Sequence, residues 1–222
     1  MVSTEYLAKE INFDDSNKKL LEDIIHYGLN LGADFVEIFL ENTDNISVLV
    51  EEDFITSVSP SFGKGAGIRI FKDKRDGFVS TNDLSKDGLI KSISQAVQML
   101  DITETSSYKK FEGLEDLRNY SKRKNDWLKK VPSVDEIGEK LLLSTASLKK
   151  DPKVNIRKSS YARNWQQVLI ASSDGTFAKD IRLHQTVGLN LIATDRQYRS
   201  SGSRRFGSSD NPNDLRNWDY EN

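Results

Sequence analysis

Runs in which apolar and polar residues alternate recur through both halves of this chain, and each set follows a segment of helical period. Alternation with a period of two puts every second side chain on one face of a strand, so one face can be buried while the other stays wet. In Phe35-Val-Glu-Ile-Phe-Leu-Glu41, Val36, Ile38 and Leu40 share one face and Glu37 and Glu41 the other. Phe35 and Phe39 lie on the glutamate side and make it only partly wet. Asn42–Asn45 reads as a turn, after which Ile46, Val48 and Val50 resume the period, predicting an antiparallel hairpin. A strand is expected over Phe54–Val58, ended with the help of Pro60, because proline donates nothing to a ladder. Ile68–Phe71 and Phe78–Thr81 then flank a turn at Lys72–Gly77.

Three helices frame these strands. Leu20, Leu21, Ile24, Ile25 and Leu31 recur near the helical period, with Ser16 as the expected N-cap and Gly32 closing the C-terminus. Asp83–Leu100 is the second, capped by Ser85, with Leu89, Ile93, Ala96, Val97 and Leu100 as its buried stripe. Ser133 with Glu136 three residues on is a capping-box signature for the third, whose stripe is Ile137, Leu141, Leu142, Ala146 and Leu148. Strands are expected at Val154–Ser160 and Gln167–Ser173, then a hairpin turn at Asp174-Gly175. Thr176–Lys179, Arg182–Thr194 and, past the turn at Asp195-Arg196, Gln197–Ser203 complete the set. This order predicts an α+β fold of two antiparallel-meander sheets, each with helices packed on one face. The first region spans 1–125 and ends in a polar linker over about 101–125, held by anchors such as Tyr108, Phe111, Leu114 and Leu117; the second spans 126–222.

Charge and composition narrow the function. Lys plus Arg number 32 against 34 Asp plus Glu, a formal charge of −2, so the basic excess that marks nucleic-acid or membrane surfaces is missing. The cluster Lys122-Arg-Lys124 with Lys129 and Lys130 is interleaved with acids, has Trp127 beside it, and reads as a solvated face. The absence of cysteine excludes disulfides, thiolate metal sites, iron–sulfur clusters and a cysteine nucleophile. It also favours the cytoplasm, as does a start, Met1–Phe13, whose Glu5, Lys9 and Glu10 break any secretory signal. No run approaches the roughly 18 apolar residues of a membrane-spanning helix.

The parts of an active site are equally sparse. The two histidines, His26 and His184, form no HExxH or HExxxH pair, so no two imidazoles share a helical face around a metal. His26, beside Ile25 and Tyr27, reads as a satisfied or surface histidine, and His184, within Arg182–Val187, as a solvent-facing strand position. No GxSxG elbow occurs, and the carboxylates sit in charge-mixed runs. Gly63-Lys-Gly-Ala-Gly67 is not a phosphate loop, because alternating β-branched residues follow it where a helix would have to open. Glycines there mark a bulge or a close backbone approach. No catalytic, metal-binding or cofactor-binding residue is therefore assigned to this chain, and its substrate contacts are left open.

Gly32-Ala-Asp34 after a helix, then Gly65-Ala-Gly-Ile-Arg69, Asp76-Gly-Phe78 and Asp83-Leu-Ser85, resembles the N-terminal domain of the TldD/PmbA family. Ala171-Ser-Ser-Asp-Gly-Thr176 with Asp180-Ile-Arg182, then Gly202 and Arg205-Phe-Gly207, resembles its second region. The resemblance implies a cytoplasmic metallopeptidase family of small peptides and disordered proteins, linked to microcin maturation, antitoxin degradation and modulation of DNA gyrase. It implies zinc held by an HExxxH helix and a later cysteine in a C-terminal domain, which this sequence does not contain, and a TldD/PmbA-type subunit as partner in a homo- or heterodimer. The expectation is a chain inactive alone that supplies substrate- and partner-binding surfaces, with no nucleic acid and no membrane among its partners. Arg69 and Arg182 either pair with acidic neighbours or face the peptide, ion pairing being the favoured role. The rival reading is a stand-alone module that pairs with a full-length relative; a direct gyrase- or DNA-binding regulator is disfavoured by the charge balance. Leu215 and Trp218 are expected to be anchors in a frayed tail from Ser208, beside an apolar patch for a further domain.

Overall fold

The computed structural model describes residues 13–102, 111–116 and 131–209. Tyr108, Leu117, the Lys122–Lys130 cluster with Trp127, and the tail anchors Leu215 and Trp218 lie outside the described residues. The elements run α1 (Lys18–Asn30), β1 (Phe35–Glu51), β2 (Phe54–Lys72), β3 (Arg75–Thr81), α2 (Lys86–Met99), β4 (Glu115–Asp116), α3 (Val134–Ser147), β5 (Val154–Ser172), β6 (Thr176–Asp195) and β7 (Tyr198–Ser208). The class is α+β, as the pattern predicts. The expected two sheets are instead one among the described residues: seven strands in the order β3-β2-β1-β5-β6-β4, with β7 also pairing β6. β3 on β2 and β7 on β6 are antiparallel, whereas the two-residue β4 runs parallel to Thr176 and Phe177 of β6.

The sheets merge because the expected short strands join end to end. Asn42–Asn45 is not a turn but the middle of the 17-residue β1. Its polarity is met from across the sheet: Asp44 pairs with the Arg163 guanidinium, and Asn164 Nδ2 donates to Asn45 Oδ1 at 2.5 Å. The burial parity agrees, since Val36, Ile38, Leu40, Ile46, Val48 and Val50 are all even-numbered and all buried. Likewise Val154–Ser160 and all of Gln167–Ser173 but its last residue are parts of β5, and Thr176–Lys179 and Arg182–Thr194 parts of β6. Pro60 does not end its strand either. It sits in a stretch of β2 where β3, whose pairing begins at Ala66, is not alongside, so its missing N–H breaks no bond to β3.

Two compact units make up the chain. The first draws on the described parts of Met1–Asn42, Gly63–Lys122 and Gln167–Asp180. Its core joins Leu21, Ile24, Ile25 and Leu29 of α1 and Leu89, Ile93 and Ala96 of α2 to Val36, Ile38 and Leu40 of β1, Ile68 and Ile70 of β2, and Leu169 and Phe177. Each of the Val, Leu, Ile and Phe side chains among them, fully buried, stabilises the fold by about 1.5–3 kcal/mol. Ser16 is not the cap of α1: the Asp14 carboxylate accepts from the Ser16 N–H and hydroxyl and starts a 3-10 turn, Asp15–Asn17, that feeds the helix. Gly32, at φ +100°, closes the other end as predicted and donates to the Leu29 carbonyl at 2.9 Å. The anchors Phe111 and Leu114 are buried, and the Leu114 N–H donates to Glu22 Oε1 at 3.0 Å.

The second unit draws on the described parts of Thr43–Phe62, Arg123–Gln166 and Ile181–Asn222. Ser133 caps α3 by accepting from the Glu136 N–H at 3.2 Å. Ile137 and Leu141 of α3 pack on Ile46, Val48, Val50, Tyr161 and Val187. Ala146, expected in that stripe, is exposed; Ser144 and Thr145 are buried instead, their hydroxyls donating to the Leu141 and Leu142 carbonyls one turn back. Bonded within their own helix, these hydroxyls cost little to bury. A smaller cluster joins Trp165, Ile181 and Leu183, with Val131 against it. Among the described residues no helix is long and apolar enough to cross a membrane.

Candidate functional site: a groove on the second unit

Four strands of the second unit line a groove of about 450 Å³. Asn45 and Ser47 of β1, Ser59 and Ser61 of β2, Asn164 of β5, and His184 and Thr186 of β6 supply its polar groups. The period of two explains why they converge. On β6, Ile181, Leu183, Gln185 and Val187 are buried, which leaves Arg182, His184 and Thr186 on the exposed side. On β5 the same alternation buries Tyr161 and Trp165 and exposes Ala162 and Asn164. The wall is held from below by the Asp44–Arg163 pair and by the Tyr161 hydroxyl, which donates to Gln185 Oε1 at 2.9 Å. Amides, hydroxyls and one imidazole can hydrogen-bond the backbone of an extended polar chain. Among the described residues no carboxylate lines the groove.

The first unit carries a recess of about 430 Å³ between Glu37, Phe39, Gly67, Arg69, Asp76 and Phe78. Arg69 is ion-paired there, Nη2 and Nε lying 2.9 and 3.1 Å from Asp76 Oδ2, with its guanidinium over the Phe71 ring. Gly67 owes its smallness to close approach: a β-carbon there would come within 3.1 Å of the Phe78 ring. Arg182, the other arginine singled out, donates from Nη1 to Gln166 Oε1 at 3.1 Å. His26 packs edge-on against the Phe111 ring with centroids 4.8 Å apart, and His184 is exposed at the groove.

The remaining motif residues organise turns. Asp174 accepts from the Ser172 hydroxyl at 2.6 Å and the Thr176 N–H at 3.0 Å, with Gly175 at φ +99° completing the hairpin. The Ser172 bond, opposed by partial burial and aided by the Thr176 N–H, holds the Asp174 carboxyl below its usual range. Asp83 accepts from the Ser85 hydroxyl at 2.6 Å and its N–H at 3.0 Å, which lowers that carboxyl too. Ser85 in turn accepts from the Gly88 N–H at 3.1 Å and starts α2. Among the described residues no three His, Asp or Glu side chains gather as a metal site, so these residues do not fit the zinc that the sequence resemblance implies. The groove itself carried no signal in the sequence, since its members come from four strands and Asn45 lies in a run that reads as a turn.

The described residues thus combine an α+β fold on one seven-stranded sheet with a groove on the second unit. Residues 36–100 match the profile of PmbA/TldA metallopeptidase domain 1, and residues 126–220 that of the PmbA/TldA metallopeptidase central domain. The chain belongs to the TldD/PmbA family. No curated protein matches it. Its fold is similar to that of a candidate modulator of DNA gyrase from Bacteroides thetaiotaomicron, with a TM-score of 0.66 and 21% identity over 89% of this chain and 46% of that one. A candidate DNA gyrase modulator from Thermotoga maritima gives a TM-score of 0.68 and 16% identity over 91% of this chain and 45% of that one. TldE from Thermococcus kodakarensis gives 0.66 and 18% over 87% and 44%. This chain thus spans less than half the length of each of these relatives.

Proposed function

We propose that this chain is the non-catalytic, N-terminal part of a TldD-like zinc metallopeptidase, presenting extended peptides and a partner subunit rather than cutting bonds itself. In this reading the zinc chemistry belongs to residues outside this sequence, and the substrates are small peptides or disordered protein segments in the cytoplasm. The family roles in microcin maturation, antitoxin degradation and gyrase modulation come to this chain only through such substrates. The observation that carries the reading is the groove, which sets the hydrogen-bonding side chains of Asn45, Asn164, His184 and Thr186 in a largely apolar wall, on a chain of metallopeptidase ancestry. Such a surface grips backbone amides without selecting a sequence, which suits a broad set of unfolded substrates.

An unstructured peptide titrated into the isotope-labelled chain tests this. The side-chain amide signals of Asn45 and Asn164 and the imidazole of His184 are expected to shift saturably, with the peptide recovered intact. Saturable binding that leaves all three signals in place, or peptide cleavage that a chelator abolishes, overturns it.

A further inference from the structure

The recess of the first unit lies on the strand face turned away from α1 and α2. Val36, Ile38 and Leu40 of β1 and Ile68 and Ile70 of β2 pack with those helices, which leaves Glu37 and Phe39 of β1 and Gly67 and Arg69 of β2 on the other side. Phe78 of β3 is the cross-strand partner of Arg69 and shares that face. Because β2 runs between β1 and β3, Phe39 and Phe78 flank the hollow that Gly67 leaves open. A side chain at Gly67 would take up that space, its β-carbon already 3.1 Å from the Phe78 ring. Phe78 is 58% exposed, and among the described residues no cation lies over its ring or over that of Phe39. The Glu37 carboxylate has no ion pair among the described residues either, whereas Asp76 is neutralised by Arg69. The recess therefore holds a surplus of negative charge beside two uncovered aromatic faces.

We propose that this recess binds the guanidinium of an arginine residue in a peptide, against the Glu37 carboxylate and the Phe39 and Phe78 rings. The same face already holds one guanidinium by these two means. Arg69 donates from Nη2 to Asp76 Oδ2 at 2.9 Å and lies over the Phe71 ring, 4.7 Å from its centroid. Glu37 with Phe39 and Phe78 offers the same pairing of carboxylate and ring, with the cation still to be supplied. A planar guanidinium can stack on a phenyl face while its N–H fork meets a carboxylate, a combination that a compact, strongly hydrated ammonium matches poorly. Partial desolvation between rings strengthens the attraction. An anionic ligand is disfavoured, because it would have to draw Arg69 from Asp76 and then lie beside Glu37. The inference rests on the peptide-presenting reading for the origin of the arginine, and it adds a substrate class, arginine-containing peptides, for which the groove alone does not select.

Acetyl-arginine methylamide, titrated into the full isotope-labelled chain, tests the site, with the citrulline analogue as a neutral isostere and the lysine analogue as a second cation. The arginine probe is expected to shift the Gly67 amide, the Arg69 Nε and the Phe78 ring signals saturably. The citrulline and lysine probes are expected to bind about tenfold more weakly. Glu37→Gln keeps the shape and removes the charge, and is expected to bring the arginine probe down to the affinity of the citrulline one. Phe78→Leu, at an exposed position, is expected to weaken the arginine probe while the circular dichroism stays unchanged. Equal binding of the arginine and citrulline probes, a Glu37→Gln chain that binds arginine as the wild type does, or saturation that leaves Gly67, Arg69 and Phe78 unmoved overturns the inference. A lysine probe that matches the arginine one overturns the assignment to a guanidinium, and free arginine binding about tenfold tighter than the blocked probe overturns its origin in a peptide. None of the three reporting residues lines the groove, so failure here is distinguishable from failure of the peptide-presenting reading.

Discussion

A β-carbon at Gly88 would lie 2.3 Å from Asp83 Cγ and 2.6 Å from the Asp83 carbonyl oxygen, so the first turn of α2 closes directly onto the carboxylate that organises it. Asp83 aligns Ser85, Ser85 caps the Gly88 N–H, and Gly88 leaves room for Asp83. The spacing of this motif is therefore a packing requirement. Gly88→Ala is expected to lower stability by about 1–3 kcal/mol through overpacking, despite alanine's better helix propensity. Ser85→Ala is expected to cost about 1 kcal/mol through the lost cap. Urea unfolding followed by circular dichroism measures both; a Gly88→Ala chain at least as stable as the wild type contradicts the contact.

Acid sensitivity follows from three aspartates. Asp83 is held below its usual 3.8 by the Ser85 hydroxyl and N–H, Asp174 below 3.8 chiefly by the Ser172 hydroxyl, and Asp53 below 3.8 chiefly by its bond to Lys149. A depressed folded-state value means that the folded chain holds on to the ionised form. The stabilisation is present in full above the unfolded value and disappears as the pH falls through the lower folded values. Stability is expected to be flat, as far as these groups are concerned, from neutrality down toward pH 4 and to drop below it, with Asp174→Asn showing a shallower decline. Carboxyl titration by NMR resolves the three groups individually.

Arg157 tests a buried charge. Its guanidinium is 8% exposed and is paired with the Glu52 carboxylate, with Asp53 3.9 Å away. Glu52, at φ +54° in the β1–β2 turn, also donates its N–H to the Arg157 carbonyl at 2.8 Å and accepts the Arg157 N–H on Oε1 at 2.8 Å. Glu52→Ala is expected to destabilise by roughly 1–3 kcal/mol, because it strips the main partner from a cation that water barely reaches. The double variant Glu52→Ala with Arg157→Met is expected to recover part of that loss, since the uncompensated charge is gone. Equal losses for the single and double variants would show that the pair contributes little.

Tyr161 and Gln185 are each 1% exposed and bonded through the tyrosine hydroxyl at 2.9 Å. Tyr161→Phe keeps the ring packing and removes this bond beneath the groove. A loss of about 1 kcal/mol is expected, with the His184 resonance on the next residue displaced. Thermal unfolding and the imidazole spectrum check the two effects together.

Much of this fold was legible locally. Ser85 and Ser133 cap the helices for which their positions qualify them, and Gly32 closes α1 in a left-handed conformation. Asp174-Gly175 turns its hairpin, and Val36, Ile38 and Leu40 are buried as their alternation requires. Arg69 takes an ion-pair role with Asp76, seven residues away in a neighbouring strand. Ser16 does not cap α1 because it lies inside the 3-10 turn Asp15–Asn17, where its hydroxyl donates to the Asp14 carboxylate.

The sequence by itself determined the three helices, the caps of α2 and α3 and the inward parity of β1, because each depends on neighbours within a turn or two of chain. Only the tertiary structure decided that Asn42–Asn45 continues a strand and that Asn45, Asn164 and His184 meet at one groove. The side chains that make a polar run stable in mid-sheet, Arg163 against Asp44 and Asn164 against Asn45, stand 119 positions away. Short polar stretches look alike whether water or a distant strand will satisfy them, and pairing at that separation leaves no trace in local composition.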